Sequence, residues 1–212
     1  MAIVPAELKP LVKSSAFVVF YEDTYSLAKY FDIELKNIKF KEPFLFDAVM
    51  ALAVQKALFN EIDYEAINGF VVDPHKVQEV FDKNGNLWID DSKATNIDAT
   101  VVALKNFKDK KIHIILGGDD KGVELNPLFD ELKKYDIKIY AIGKNKNKLA
   151  SLALEYDIEC DECGFLEVAV ARISKNIDKN SVGILSPAAA SLDQFSSYKE
   201  RGEKFQKHIA EL

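Results

Sequence analysis

Three polar segments that lie beyond residue 89 carry groups that could bind an anionic small molecule. Asp90–Asn96 (DDSKATN) places carboxylates, an ammonium group and hydroxyls within a few residues. Gly117–Gly122 (GGDDKG) combines glycines, which let a ligand approach the backbone closely, with a lysine that can hold a carboxylate or phosphate. Ser186–Phe195 (SPAAASLDQF) offers small residues and Ser191, which could donate from a helix N-terminus, where anions are stabilised. Such groups favour electrostatic binding of an anion over covalent attack on it.

Each segment also has a purely structural interpretation. The first could cap a helix, because Ser, Thr and Asn favour helix starts; the second could be a tight acidic loop; and in the third Ser191 or Asp193 could cap a helix. Pro74-His75-Lys76 holds a histidine that could be structural, and His113 and His208 are interpreted as non-functional. The chain lacks the phosphate-loop pattern G-x-x-x-x-G-K-[ST], the nucleophile elbow G-x-S-x-G and any His-rich metal-binding pattern.

A parallel sheet would bring the three segments together. Each directly follows a short apolar stretch that predicts a strand: Asn86–Asp90, Lys111–Leu116 and Ser181–Leu185. A further strand is predicted at Ile137–Ile142, and helices are predicted at Ile97–Phe107, Asn126–Tyr135, Asn147–Tyr156, Phe165–Ile177 and within Asp193–Leu212. Apolar strands that alternate with helices indicate an α/β, Rossmann-like, mostly parallel sheet with helices on both faces. Ligands bind such sheets beyond the carboxyl ends of the strands.

The first third of the chain is organised differently. Strands are predicted at Ala16–Tyr21 and Ile33–Phe40, and helices at residues 24–31, Phe44–Ile62 and Asp63–Asn68. The pattern breaks around Gly69–His75, where Pro74 biases the preceding residue toward an extended conformation. We therefore predict two domains: residues 1–72, a partial α/β domain, and residues 73–212, a Rossmann-like domain.

Composition and charge exclude some classes of function. The 28 Lys and Arg residues against 34 Asp and Glu give a formal net charge of −6, so we expect no non-specific binding to nucleic acid or anionic membranes. No apolar stretch approaches the roughly 20 residues of a membrane-spanning helix, and the N-terminus lacks a signal-peptide pattern, which predicts a cytoplasmic protein. Cys160 and Cys163 predict two reduced thiols in a loop, because a structural zinc would need four ligands.

Taken in order, these segments resemble the C-terminal domain of the Mur ligases, in particular the members that add D-glutamate. The resemblance is carried by DSKATN (91–96), LGGDDKG (116–122), LSPAAASLDQF (185–195) and ERGEKF (200–205), with Pro74-His75 upstream. It covers about residues 44–212 and implies amide formation that depends on ATP and Mg²⁺. In that chemistry a substrate carboxylate is phosphorylated, and the amine of D-glutamate attacks the acyl phosphate. The substrate implied for the intact enzyme is UDP-N-acetylmuramoyl-L-alanine.

The resemblance also implies which residues contact each ligand, with no catalytic residue and no metal ligand in this chain. The residues implied to hold D-glutamate are Thr95, Lys121, Ser191, Leu192 and Tyr198. Those implied on the nucleotide side are Asp47, Lys76, Asp91 and Lys93, with His75 and Asp119 in support. Three positions depart from the family: Lys76 replaces an arginine, Asp90 replaces the usual asparagine, and Asp47 stands where an asparagine contacts adenine.

Other parts of the family have no counterpart in the chain. The UDP-sugar-binding N-terminal domain, the Gly-rich ATP loop and the metal-site residues of the central domain are missing from the sequence, and residues 1–72 resemble only the tail of that central domain. We therefore expect a C-terminal half that is inactive alone, with the missing N-terminal half as its partner. The alternatives are a stand-alone, non-catalytic Rossmann-like module that binds an acidic amino acid or a nucleotide, and a related amide ligase of the folylpolyglutamate type.

Overall fold

Two separate β-sheets organise the chain in a computed structural model that describes residues 1–212. They belong to two units, Met1–Val71 and Val72–Leu212. In the first unit, β1 (Ala2–Pro5) pairs in parallel with β2 (Val18–Tyr21), and three helices follow: α1 (Thr24–Tyr30), α2 (Phe44–Phe59) and α3 (Tyr64–Gly69). None of the helices in the chain is both long enough and apolar enough to cross a bilayer.

The prediction of a strand at Ile33–Phe40 is wrong, because the structure has no strand there. Ile33 and Ile38 are buried in the core of the first unit, as their apolar character suggested, but the segment contains only a short 3-10 turn, Leu35–Asn37. Side chains of α3 satisfy its backbone in place of a strand partner. The Tyr64 hydroxyl accepts from the Glu34 N–H at 2.7 Å, and the Asn68 side chain bonds the backbone of Asn37 and Lys39 at 2.7 and 2.9 Å. Alternating apolar residues therefore mark burial here, not pairing.

The second unit is built on a six-stranded sheet. Its strands are β3 (Gln78–Phe81), β4 (Leu87–Asp90), β5 (Lys111–Gly117), β6 (Ile137–Ile142), β7 (Glu159–Gly164) and β8 (Ser181–Leu185). The helices are α4 (Ile97–Leu104), α5 (Asn126–Leu132), α6 (Lys146–Glu155), α7 (Leu166–Ile173) and α8 (Tyr198–Glu211). The order across the sheet is β3-β4-β8-β5-β6-β7, and all pairs are parallel except β3 with β4. The predicted mostly parallel α/β fold is confirmed.

Helices cover both faces of this sheet because its strands are apolar on both sides. In β5, Ile112, Ile114 and Leu116 point into one core with α4, α5 and α6, whereas Ile115 points into the other core with α7 and α8. All four of these side chains are fully buried. Burial on both faces explains why such strands read as continuous apolar runs.

Two further predictions need correction. Cys160 and Cys163 lie in strand β7, not in a loop; β7 was missed because its sequence, ECDECG, is acidic and lacks the apolar run of a central strand. It is an edge strand, so the carboxylates of Glu159 and Asp161 can reach Lys138 on β6 at 3.4 and 3.2 Å. The last helix begins at Tyr198, with Ser197 as its N-cap, so neither Ser191 nor Asp193 caps a helix.

Candidate functional site

The three predicted polar loops meet at the carboxyl edge of the large sheet. β4, β8 and β5 are neighbours, so the loops that follow them emerge side by side. Backbone hydrogen bonds join them directly: the Asp91 N–H donates to Leu185 at 2.9 Å, and the Gly117 N–H donates to Pro187 at 2.9 Å. Asp119 and Ala190 exchange two backbone hydrogen bonds, at 2.9 and 3.0 Å. The expected convergence of these loops is therefore present in the fold.

Asp91, in the loop after β4, is one of two buried acids of the site, beside Asp90. Its carboxylate accepts from the Ser186 hydroxyl at 2.7 Å and from the Val77 N–H at 3.2 Å. Burial, with a smaller contribution from the neighbouring charge of Asp90, raises the pKa of Asp91 to about 6, although the two hydrogen bonds oppose the shift. Asp91 therefore joins the loops after β4 and β8 to the turn that precedes β3.

That turn carries His75 and Lys76. His75 is buried, and its Nδ1 lies 2.7 Å from Oδ2 of the fully buried Asp90. The backbone is held on both sides, since the His75 N–H donates to Gln78 Oε1 at 3.2 Å and the His75 carbonyl accepts from the Lys93 N–H at 3.0 Å. His75 and Val77 both adopt positive φ angles, 64° and 44°, which are unusual for residues with a side chain and above all for a β-branched one. The histidine is thus an anchored part of the site.

The lysines predicted on the nucleotide side lie close together. Lys76 and Lys93 both approach the carboxylate of Asp73, at 3.8 and 3.5 Å. The ammonium group of Lys93 also lies 5.9 Å from the ring centroid of Tyr198, a cation–π distance. Lys76, Lys93 and Tyr198 therefore form one cluster beside His75 and Asp91, with both ammonium groups partly accessible to solvent.

The loop after β5 is shaped by two glycines. Gly117 and Gly118 have φ angles of 119° and 143°, and a Cβ on either would collide with a backbone carbonyl, that of Ile142 or of Ala190. Their lack of side chains lets the neighbouring loops pack together. Asp119 accepts from the Lys121 N–H at 3.1 Å and so fixes the turn, while the Lys121 side chain is exposed and has no ion-pair partner.

The remaining predicted residues differ in their surroundings. Ser191 is buried, and its carbonyl accepts from the N–H groups of Gln194 and Phe195. Leu192 is exposed, and Thr95 is exposed without a hydrogen bond of its own. The capping role considered for Asp90–Asn96 is real, because the Asn96 side chain accepts from the Ala99 N–H at 2.9 Å and caps α4.

Asp47 belongs to the other unit of the chain. It lies in the first turn of α2, in the first unit, where its side chain is exposed. The implied Mg²⁺ also finds no cage in the chain, since no group of three or more His, Cys, Asp or Glu side chains is arranged to hold a metal ion. The residues present do not fit a metal held by this chain alone.

Helix α8 contributes two residues that were not predicted. Arg201 is fully buried and bonds to Ser92 and Ala189, in the loops after β4 and β8. Gln206 donates to Asp90 at 2.7 Å, beside His75. The sequence did place Arg201 in the ERGEKF motif, but a charged residue in a polar helix gives no indication of burial.

An open, mostly parallel sheet with helices on both faces and polar loops at its carboxyl edge defines the class as a Rossmann-like α/β domain. UDP-N-acetylmuramate–alanine ligase MurC from Thermotoga maritima superposes with a TM-score of 0.56 over 80% of this chain and 38% of that one, at 15% identity. The bifunctional folylpolyglutamate synthase/dihydrofolate synthase from Yersinia pestis, complexed with AMPPNP and Mn, gives 0.55 over 81% and 39%, at 16% identity. At these identities the likeness shows the fold.

Sequence relatives narrow the class to one family. UDP-N-acetylmuramoylalanine–D-glutamate ligase from Campylobacter jejuni strain RM1221 is 45% identical over 199 residues, 94% of this chain and 50% of its own length. The enzyme of the same name from Helicobacter pylori strain J99 is 46% identical over 222 aligned positions, 99% of this chain and 53% of its own length. No protein-family model matches. The chain belongs to the Mur ligase family and matches the C-terminal half of its D-glutamate ligases; it spans about half the length of these relatives.

Proposed function

We propose that the chain supplies the D-glutamate-binding and nucleotide-facing half of an ATP-dependent ligase that adds D-glutamate to UDP-N-acetylmuramoyl-L-alanine through an acyl phosphate. The observation that carries the proposal is the convergence of the three polar loops at one edge of the sheet, joined by the Asp119–Ala190 backbone pair. The named function of the relatives supports the choice of substrates.

D-glutamate is a dicarboxylate and needs a cation together with hydroxyl and backbone donors. Lys121 offers an ammonium group with no competing ion pair, on a backbone fixed by Asp119. Thr95, Ser191, Leu192 and Tyr198 would complete the pocket, and Tyr198 opens α8, whose N-terminal end attracts negative charge. The task of these groups is to hold the amine in line with the acyl phosphate, since amide formation here depends on positioning and charge neutralisation.

On the nucleotide side, Lys76 and Lys93 would neutralise phosphate charge beside Asp91, with His75 in support. Lys76 provides a point charge where the family has a bidentate arginine, so we expect a less directional hold on phosphate. The nucleotide-side role that the family resemblance implies for Asp47 stays a prediction. ATP would supply the phosphoryl group, and the metal ion would be bound with groups outside this chain. We infer that the chain is inactive until its N-terminal half is supplied.

Binding of D-glutamate to the full chain tests the assignment. Isothermal titration with D-glutamate, L-glutamate and diaminopimelate should show binding of D-glutamate alone. Lys121→Ala should weaken that binding roughly 30-fold, because it removes the only free cation proposed to face a carboxylate. Lys105→Ala, which removes an equally exposed lysine after α4, is the matched control and should bind normally.

A ligase assay with ATP, Mg²⁺, UDP-N-acetylmuramoyl-L-alanine and D-glutamate tests whether the chain needs an N-terminal half for activity. The chain alone should give no product, and addition of the N-terminal half of the Campylobacter relative should restore it. Product from the 212 residues alone would contradict the requirement for a second half. Binding of nucleotide or of L-glutamate, without preference for D-glutamate, would instead favour the non-catalytic binding module.

A further inference from the structure

Arg201 joins two of the site loops through a single guanidinium group. Its Nε donates to the Ser92 hydroxyl at 3.0 Å, and one terminal nitrogen donates to the Ser92 carbonyl at 2.8 Å. Both terminal nitrogens donate to the Ala189 carbonyl at 3.2 Å. The guanidinium therefore bonds the loop after β4 and the loop after β8 at the same time.

The residues beside these contacts are those proposed to bind ligand. Ser92 lies between Asp91 and Lys93, and its hydroxyl also donates to the Tyr198 carbonyl at 2.7 Å. Ala189 comes just before Ala190, which pairs with Asp119 in the loop that carries Lys121. One side chain thus connects, directly or through one backbone pair, every loop of the proposed D-glutamate pocket.

The burial of Arg201 argues for such a role. The side chain is fully buried, and no carboxylate lies within ion-pair distance of it. A buried charge without a counter-ion opposes folding strongly, and its hydrogen bonds only partly offset the loss of hydration. Burial lowers the pKa of Arg201 to about 10, with partial compensation by Asp193 and Asp90. An apolar side chain would fill the position at lower cost in stability, so the bonds to the two loops are the feature that only arginine supplies.

We propose that Arg201 is a positioning residue that holds the loops after β4 and β8 in register and, through the Ala190–Asp119 pair, the loop after β5. The effect on D-glutamate affinity rests on the proposed function, whereas the effect on loop order does not. Arg201 acts through Ser92 and Ala189 and is not assigned a contact with substrate.

The test compares three variants of the full chain with wild type. Arg201→Met removes the charge and the bonds, and Arg201→Lys keeps the charge but cannot bond both loops. Arg172→Met is the matched control, because Arg172 is the only other arginine and lies half-exposed on α7. Amide hydrogen exchange by NMR and titration with D-glutamate are measured for each.

Both Arg201 variants should raise exchange at the amides of Lys93, Asp119 and Ala190 by about tenfold or more, with no change at Ile114 or Ile139 in the sheet. Both should weaken D-glutamate binding by about tenfold or more. A merely structural arginine would raise exchange throughout the unit instead. Normal loop exchange in folded Arg201→Met would overturn the proposal, as would full restoration by lysine, which would indicate a purely electrostatic role.

Two further comparisons distinguish failure of the Arg201 proposal from failure of folding and from failure of the proposed function. If the Arg201 variants do not fold, Ser92→Ala decides the question. It deletes the hydroxyl's bonds to Arg201 and to the Tyr198 carbonyl, and only the loss of the Arg201 bond should raise exchange at Ala190, beside Ala189. Unchanged exchange at Ala190 would overturn the proposal. If wild type binds no D-glutamate, the proposed function fails, and the exchange measurements alone decide whether Arg201 positions the loops.

Discussion

Gly202 is the position where a single methyl group should disturb the site most selectively. It lies on the buried side of α8, directly against the ring of His75. A Cβ there would stand 2.7 Å from Cγ and 2.8 Å from Cε1 of that ring, and closer still to Nδ1. Heavy atoms of this kind pack at about 3.5 Å, so Gly202→Ala must push the ring or the helix back by about an ångström or more. The atom most affected, Nδ1, is the one that bonds Asp90 at 2.7 Å.

The expected cost is the balance of three effects. Alanine in place of glycine stabilises a helix by about 1 kcal/mol. Overpacking costs about 1–3 kcal/mol, and loss of a hydrogen bond to a buried charged group costs about 1.5–3 kcal/mol. We therefore expect Gly202→Ala to lower the free energy of unfolding of the second unit by about 3 kcal/mol.

Urea unfolding followed by tryptophan fluorescence measures this effect in the correct unit. Trp88 is the only tryptophan of the chain and is fully buried in the second unit, so its signal reports that unit. Gly69→Ala is the control, because Gly69 ends helix α3 of the first unit with nothing within 4 Å of its added Cβ. It should leave the Trp88 transition unchanged.

A double variant identifies the cause. In a His75→Ala background the colliding ring is gone, so Gly202→Ala should be neutral or stabilise the unit by up to about 1 kcal/mol through helix propensity. The interaction energy between the two sites should then be about 3 kcal/mol or more. If Gly202→Ala costs the same with and without the His75 ring, the proposed collision is not the reason for the glycine.

Two further predictions concern groups with displaced pKa values. Because burial raises the pKa of Asp91 to about 6, the folded state binds more protons than the unfolded state between about pH 4 and 6, and the free energy of unfolding should fall by about 3 kcal/mol as the pH rises through that range. Asp91→Asn should remove this decline in urea titrations read at Trp88, and an unchanged pH profile would contradict the assignment. Burial also raises the pKa of Cys160 to about 11 and raises that of Cys163, so a disulfide reagent at pH 8 should label both thiols slowly in the native protein and rapidly in urea; rapid native labelling would show that β7 is not formed as described.

The strands of the sheet differed in how well their sequences predicted them, and burial explains the difference. β5 and β8 are covered on both faces, so almost every side chain is apolar and the run is unmistakable. β7 is an edge strand whose carboxylates bond Lys138, and nothing in ECDECG distinguishes it from a loop. For Ile33–Phe40 the error was the reverse: a strand was predicted where none forms, because its apolar residues pack into the core without pairing with a strand.

The site was predictable where its residues follow a strand and unpredictable where they depend on a distant helix. The three loops could be located because each directly follows an apolar strand, and a parallel sheet must bring such ends together. Arg201 bonds Ser92 across 109 positions of sequence, and its partners are a hydroxyl and two carbonyls, groups that almost any residue pattern supplies. No local signal distinguishes such an arginine from a solvated one.

Some groups at the site are already held by hydrogen bonds and others are exposed and unbonded, and this difference affects the cost of ligand binding. Asp91, His75 and the backbone of Ser191 already have hydrogen-bond partners within the protein, so a ligand finds them in place. The side chains of Lys121 and Thr95 are exposed and must be ordered when a ligand arrives, and each flexible side chain held in one rotamer opposes binding by about 0.5–1.5 kcal/mol. Because the loops are already rigid, the entropic cost of binding is confined to these side chains. Loosening the loops through Arg201 would add the ordering of three backbone segments to the same binding event, so a distant, non-contacting arginine is expected to affect affinity on the scale of a direct contact.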